Sequence, residues 1–301
     1  MGPLPILCAM LFLLLALAAD TTYTTRVAVA PGESLMVTVQ GDGEPVIVLP
    51  GLFGSAYSFR HTGQLLEREG FLCVTIELLG MGSSSRPLEA DYSLSAQADR
   101  VIAVMDSLGI GQAYAMVHSQ GASIAMRASY RSPGRIRGIV SLEGGIAEAI
   151  MSTGLRRIMR FAPILRLING QGMAMQRLLR EMRDNSYDPD WVTREAALAY
   201  VEGMVDEFGI TMSVYRRMSL TDEPESLEER LPFLEIPVIL LIGEERYRSS
   251  IPDEEFARMV RLIPDITVDT IPETGFFIQE EQPGAAVAAL LELRDSVESG
   301  D

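Results

Sequence analysis

The stretch Ala113-Tyr-Ala-Met-Val-His-Ser-Gln-Gly-Ala-Ser-Ile-Ala-Met126 decides the fold. It opens on an apolar run that reads as a buried strand, breaks at Ser119, and continues from Gly121 into an alanine-rich run that reads as a helix. A strand that turns straight into a helix forces the corner residue into a strained backbone and pushes its side chain outward. Val117-His118-Ser119-Gln120-Gly121 fits the pattern Gly-x-Ser-x-Gly except at its first glycine, where Val117 stands.

Outward from this corner the chain alternates between two periodicities. Strands are predicted over 24–29, 35–40, 45–49, 70–76, the elbow strand, 137–143, 236–242 and 265–271. Helices are predicted over 57–69, 95–108, from Gly121 to about 130, and near 284–293. Strands and helices alternating at this spacing predict an α/β fold, a largely parallel eight-stranded sheet covered on both faces. Between residues 144 and 232 no strand pattern occurs; helices are predicted there at about 147–168, 173–182, 191–207 and 210–218. An all-helical insertion of that kind reads as a cap over the C-terminal edge of the sheet, where open α/β sheets bind ligands. Its arginines 156, 157, 160, 166, 177, 180 and 183 read as a solvated helix face, with an anion-attracting rim as the alternative.

A length of 301 residues allows one sizeable core with an insertion. The formal charge of -16 argues against nucleic acid or an anionic membrane as the main partner. All 25 basic residues are arginine, which removes a lysine base, a Schiff base and a Ser–Lys dyad from consideration. Residues 3–19 form an uncharged apolar run ending in Ala16-Leu17-Ala18-Ala19, the pattern of a secretory leader cut after Ala18, with an uncleaved membrane anchor as the alternative. The organisation expected is a leader over 1–18, a core over 19–143 and 233–301, and a cap over 144–232, in an exported protein. Cys73 alone would remain after cleavage, so no internal disulfide is expected, and two histidines with one cysteine assemble no zinc site by themselves. No cofactor or metal enters the reading.

Taken together these segments resemble the α/β-hydrolase fold family, with a cap placed as in its dehalogenase-like and epoxide-hydrolase-like members. Pro50-Gly51-Leu52 with Gly54-Ser55 is similar to the family's His-Gly-x oxyanion segment. The loop Glu77 to Pro87 resembles its Asp-x-x-Gly-x-Gly-x-Ser loop, Val117 to Gly121 its nucleophile elbow, and Glu280-Glu281-Gln282-Pro283 the start of its last helix. The resemblance implies Ser119 as nucleophile and the backbone amides of Leu52 and Gln120 as oxyanion donors, for which side-chain identity is expected to matter little.

The remaining triad positions depart from the family pattern. Arg246 stands where the acid after the seventh strand is expected, and Phe276 where the histidine is expected. Glu143, at the end of the sixth strand, occupies an alternative acid position, with Glu244 and Glu245 near it in sequence. A serine needs a base within hydrogen-bond reach, and the chain has only two histidines, His61 and His118. His118 is expected to point inward, because adjacent residues at a strand end face opposite sides. Tyr57 and Tyr247 are near in sequence, but a tyrosine of ordinary pKa is protonated at about pH 7. Two functions stay open. One is a degenerate hydrolase that binds a small hydrophobic molecule or a partner over a floor formed by Phe276 and Phe277, unless those rings simply fill the space. The other is an active serine ester hydrolase with a non-standard base and acid. A third, weaker reading is an interaction protein whose site is closed.

Overall fold

The computed structural model describes residues 22–160 and 170–300, so the expected leader lies outside the described residues. Eight strands form one sheet in the order β1-β2-β4-β3-β5-β6-β7-β8. They are β1 (Tyr23–Ala30), β2 (Glu33–Gln40), β3 (Glu44–Leu49), β4 (Phe71–Glu77), β5 (Ala113–His118), β6 (Ile136–Leu142), β7 (Val238–Gly243) and β8 (Ile266–Ile271). β2 runs antiparallel to β1 and β4, and every pairing from β4 to β8 is parallel. The central strands are apolar without alternation because both of their faces are buried. Ile47, Leu49, Ala115, Val117 and Ile139 pack on one face. Val46, Val48, Tyr114, Met116, Val140 and Leu142 pack on the other.

Outside the insertion, the helices are α1 (Arg60–Arg68), α2 (Leu94–Ser107) and α3 (Gly121–Arg131), then α9 (Asp253–Leu262), α10 (Ile278–Glu281) and α11 (Pro283–Ser299). α2 opens on a capped turn, with Ser93 Oγ accepting from Ala96 N–H at 3.1 Å. The helix predicted over 57–69 divides into a 3-10 turn, Ala56–Phe59, and α1. Between β6 and β7 lie α4 (Thr153–Met159), α5 (Gly170–Asp184), α6 (Arg194–Tyr200), α7 (Glu202–Asp206) and α8 (Phe208–Met218), with no strand among the described residues.

Two expectations need correction inside this insertion. The helix predicted from 147 begins only at Thr153; ahead of it the exposed Glu148 is held by the returning end of the insertion, accepting from Leu227 N–H at 3.1 Å and Glu228 N–H at 3.0 Å. The helix's predicted C-terminal part, 161–168, lies outside the described residues. The helix predicted over 191–207 is broken at Val201 into α6 and α7. Just past the break Gly203 presses on the Gly82 carbonyl so closely that an added Cβ would sit 2.1 Å from that oxygen. A straight helix carrying an ordinary side chain would not fit there.

Register aligns the functional loops. Leu49 pairs with Val117 across β3 and β5, and His118 pairs with Leu142 across β5 and β6. The segments after β3, β5 and β6 therefore leave the sheet at one edge. The chain steps from β3 outward to β4 and then back across β3 to β5, so the loops after β3 and β5 flank a topological switch point.

Candidate active site

Ser119 turns the corner between β5 and α3 at φ 54°, a left-handed conformation that costs a non-glycine residue roughly 1–2 kcal/mol. The surroundings hold it there. Ser119 N–H donates to Leu142 O at 3.1 Å, and two glycines let neighbouring backbone close in. A Cβ on Gly51 would meet Ser119 Cβ at 3.1 Å and His118 Nδ1 at 2.8 Å, and one on Gly144 would meet Ser119 O at 2.7 Å. Ser119 and Gln120 are both half-buried.

The hydroxyl of Ser119 donates to Gln120 Oε1 at 2.7 Å. The same oxygen accepts from the backbone N–H of Leu52 at 3.3 Å. A backbone N–H can only donate, which fixes the oxygen of the carboxamide as the atom facing it. The N–H of Gln120 opens α3, where the first amides of a helix have no intrahelical acceptor. Sequence reasoning treated the side chain at position 120 as immaterial. The structure instead puts its carboxamide oxygen between the nucleophile-position hydroxyl and one of the two expected oxyanion donors. The only signal in sequence was a polar amide directly after the elbow serine.

His118 is buried, as strand alternation predicts. Its Nε2 lies 3.0 Å from Phe276 O. A carbonyl only accepts, so Nε2 carries a proton. Burial drives its pKa down to about 4, against a smaller opposing effect of the Phe276 hydrogen bond. Phe276 fills the space beside it, ring centroids 4.5 Å apart and edge-on, and Phe277 packs against Phe276 at 5.1 Å and Trp191 at 5.3 Å. The two phenylalanines thus pack against the imidazole, Trp191 and each other. His61 lies exposed on α1.

Glu143 ends β6 with φ 45° and is almost fully buried. Its carboxylate accepts from Gly243 N–H at 2.8 Å and Ile251 N–H at 3.2 Å, tying the β6 and β7 edges together. Burial pushes its pKa up, and those two amides and the Arg246 charge pull it back down. Arg246 hydrogen-bonds the Ile251 carbonyl and faces Asp253 at 3.6 Å. Glu244 and Glu245 are exposed; Glu244 braces the loop after β8 by accepting from Glu273 N–H at 3.0 Å. Tyr57 stacks under the Arg60 guanidinium at 3.9 Å. Tyr247 lies beside Gly275, where an added Cβ would meet its ring at 2.8 Å.

Glu77 is a structural residue not singled out from sequence. Buried at the end of β4, it accepts from Ala56 N–H at 2.9 Å and Ser83 N–H at 2.6 Å, joining the segment after β3 to the glycine- and serine-rich loop after β4. Burial raises its pKa, opposed by both amides and by Arg86. Two surface clefts, of about 480 and 620 Å³, are lined by neither Ser119, Leu52 nor Gln120.

Residues 44–185, which run from β3 through the elbow into the first part of the insertion, match a family profile described as alpha/beta hydrolase fold. The chain has the α/β-hydrolase fold. It is 23% identical over 270 residues to haloalkane dehalogenase 2 of Mycobacterium bovis, covering 84% of this chain and 88% of that protein. It is 21% identical over 248 residues to lipase 3 of a Moraxella species, covering 80% and 75%. An esterase from Thermogutta terrifontis superposes with a TM-score of 0.73 at 20% identity, over 92% of this chain and 99% of that one. The epoxide hydrolase CorEH does so with a TM-score of 0.75 at 20% identity, over 90% and 98%. These α/β-hydrolase-fold proteins carry names for different reactions, so the likeness defines architecture and leaves the chemistry to the site.

Proposed function

We propose that this α/β-hydrolase-fold protein is catalytically impaired or inactive as a hydrolase and uses the sheet edge to bind a small hydrophobic molecule or a partner. The observation that carries this reading is the hydrogen bond from Ser119 Oγ to the Gln120 carboxamide oxygen. An amide oxygen is too weak a base to take the serine proton, and the nucleophile stays a neutral alcohol. His118 supports the same reading, since its one protonated nitrogen is committed to Phe276 O and its pKa is far below neutrality. Glu143 spends its carboxylate on two backbone amides. Loss of the general base alone removes about 10²–10⁴-fold in rate. Export by way of residues 1–18 belongs to the proposal.

The second reading, an active serine ester hydrolase with a non-standard base, is favoured by one observation. Ser119 keeps its left-handed backbone, and strain of that kind clusters at functional sites. Turnover of p-nitrophenyl acetate and butyrate, measured beside Ser119→Ala, separates the two. Equal rates, at or near the buffer rate, are expected from both proteins. Turnover lost specifically in Ser119→Ala would transfer the assignment to the hydrolase reading.

A further inference from the structure

Resting on the binding reading, we infer that the Gln120 side chain is a built-in occupant of the oxyanion position, and that the site takes ligands whose carbonyl oxygen displaces it. Oε1 of Gln120 stands where two donors converge, Leu52 N–H at 3.3 Å and the Ser119 hydroxyl at 2.7 Å. A buried or half-buried N–H left without an acceptor costs free energy, so something must accept from Leu52. In this chain the acceptor is internal. Both contacts are made through a single side-chain atom, and Gln120 is half-buried at the N-terminus of α3, so rotation of its side chain removes both without moving the backbone.

A ligand that replaces Oε1 must restore what it removes. That requires an sp² oxygen with two accepting lone pairs, as in an amide, ester or ketone. A halogen or alkyl group there would leave Leu52 N–H unpaired. Selection between ligands then follows from the unpaired donor, which discriminates far more strongly than a missing methylene. The Gln120 carboxamide also competes at an effective concentration fixed by its tether, so it lowers the apparent affinity of every carbonyl ligand.

Hexanamide and 1-chlorohexane are suitable probes, titrated by calorimetry into the purified wild type, Gln120→Ala and Gln120→Glu. Gln120→Ala frees the two donors, and hexanamide should bind about tenfold more tightly than to wild type. Gln120→Glu places a carboxylate on the same donors, where charge-assisted bonds and the helix N-terminus both favour it, so hexanamide should bind about tenfold more weakly. 1-Chlorohexane should show no such opposed pair of shifts. A side chain with a merely structural role gives loss in both variants or in neither. Hexanamide affinities equal in all three proteins, lowered in both variants, or undetectable throughout overturn the inference. Ser119-dependent ester turnover by the wild type defeats the binding reading instead, and leaves the hexanamide comparison to decide the role of Gln120.

Discussion

At the scale of single residues, the sharpest consequence concerns His118. Its folded pKa of about 4 lies below the ordinary imidazole value of 6.5, so the unfolded chain binds a proton that the folded chain refuses. The stability this neutral ring confers is whole above about pH 6.5 and is lost as pH falls toward 4, by roughly 3 kcal/mol. The carboxyls of Glu77, Glu143, Glu255 and Glu281, whose pKa values burial raises, act in the opposite sense over the acid range. They are common to wild type and His118→Gln, so the comparison cancels them. Melting temperatures recorded from pH 7.5 to 4.5 should fall more steeply for wild type than for His118→Gln. Parallel slopes would mean the imidazole is not excluded from protonation. That His118 turns inward was legible from strand alternation. That Gln120 would reach back to its neighbour's hydroxyl was not, because a side-chain torsion carries no trace in a linear pattern.

At the scale of elements, the insertion is fastened to the core by a small charged knot. Tyr200 on α6 donates to Glu280 Oε1 at 2.7 Å, and Arg60 on α1 reaches the same oxygen at 2.7 Å. The Glu280 side chain is 1% exposed, so the pair is shielded from solvent screening. Tyr200→Phe removes one hydrogen bond to a buried charge and leaves the ion pair, which should cost roughly 2 kcal/mol. Urea unfolding checks the loss, and hydrogen exchange should place the added opening in α6. A second fastening binds the loop after β8: Phe276 N–H donates to Asn185 O at 2.9 Å, and Glu281 accepts from Asp188 N–H at 2.9 Å and Gly275 N–H at 2.8 Å. Strand positions and most core-helix positions were legible because their periodicities differ, whereas α9 was not anticipated. The insertion helices were less so, since where each one breaks depends on what it meets, as Gly203 meets Gly82.

At the scale of the whole molecule, Arg127 joins three parts of the chain. Fully buried on α3, it donates from Nη2 to Glu148 at 2.8 Å, and its Nε faces Glu223 at 3.6 Å, beyond hydrogen-bond length. Glu148 stands where the chain leaves the sheet for the insertion, and Glu223 where it returns. Glu223 also accepts from Ser95 N–H at 3.2 Å at the start of α2. The helix that follows the elbow is thereby locked to both ends of the insertion. Glu148 is 40% exposed and can be hydrated, but Glu223, 7% exposed, would lose its cation, so Arg127→Met should lose about 1–3 kcal/mol of unfolding free energy. A loss under about 0.5 kcal/mol in urea titration would mean the clamp contributes nothing beyond packing.

The sequence by itself determined the class of fold, the succession of strands along the chain and the strained serine corner. Those follow from local quantities: hydrophobic period, turn chemistry and residue identity at a fixed spacing. Only the tertiary structure decided which groups meet at the serine. Glu143 is drawn to the β7 edge, His118 is sealed beneath Phe276, and the Gln120 oxygen takes the position between Ser119 and Leu52. Each of those outcomes is a competition among donors and acceptors brought together by the sheet from distant parts of the chain. Buried polar groups settle on the partners that packing leaves within reach, and that choice is made in three dimensions.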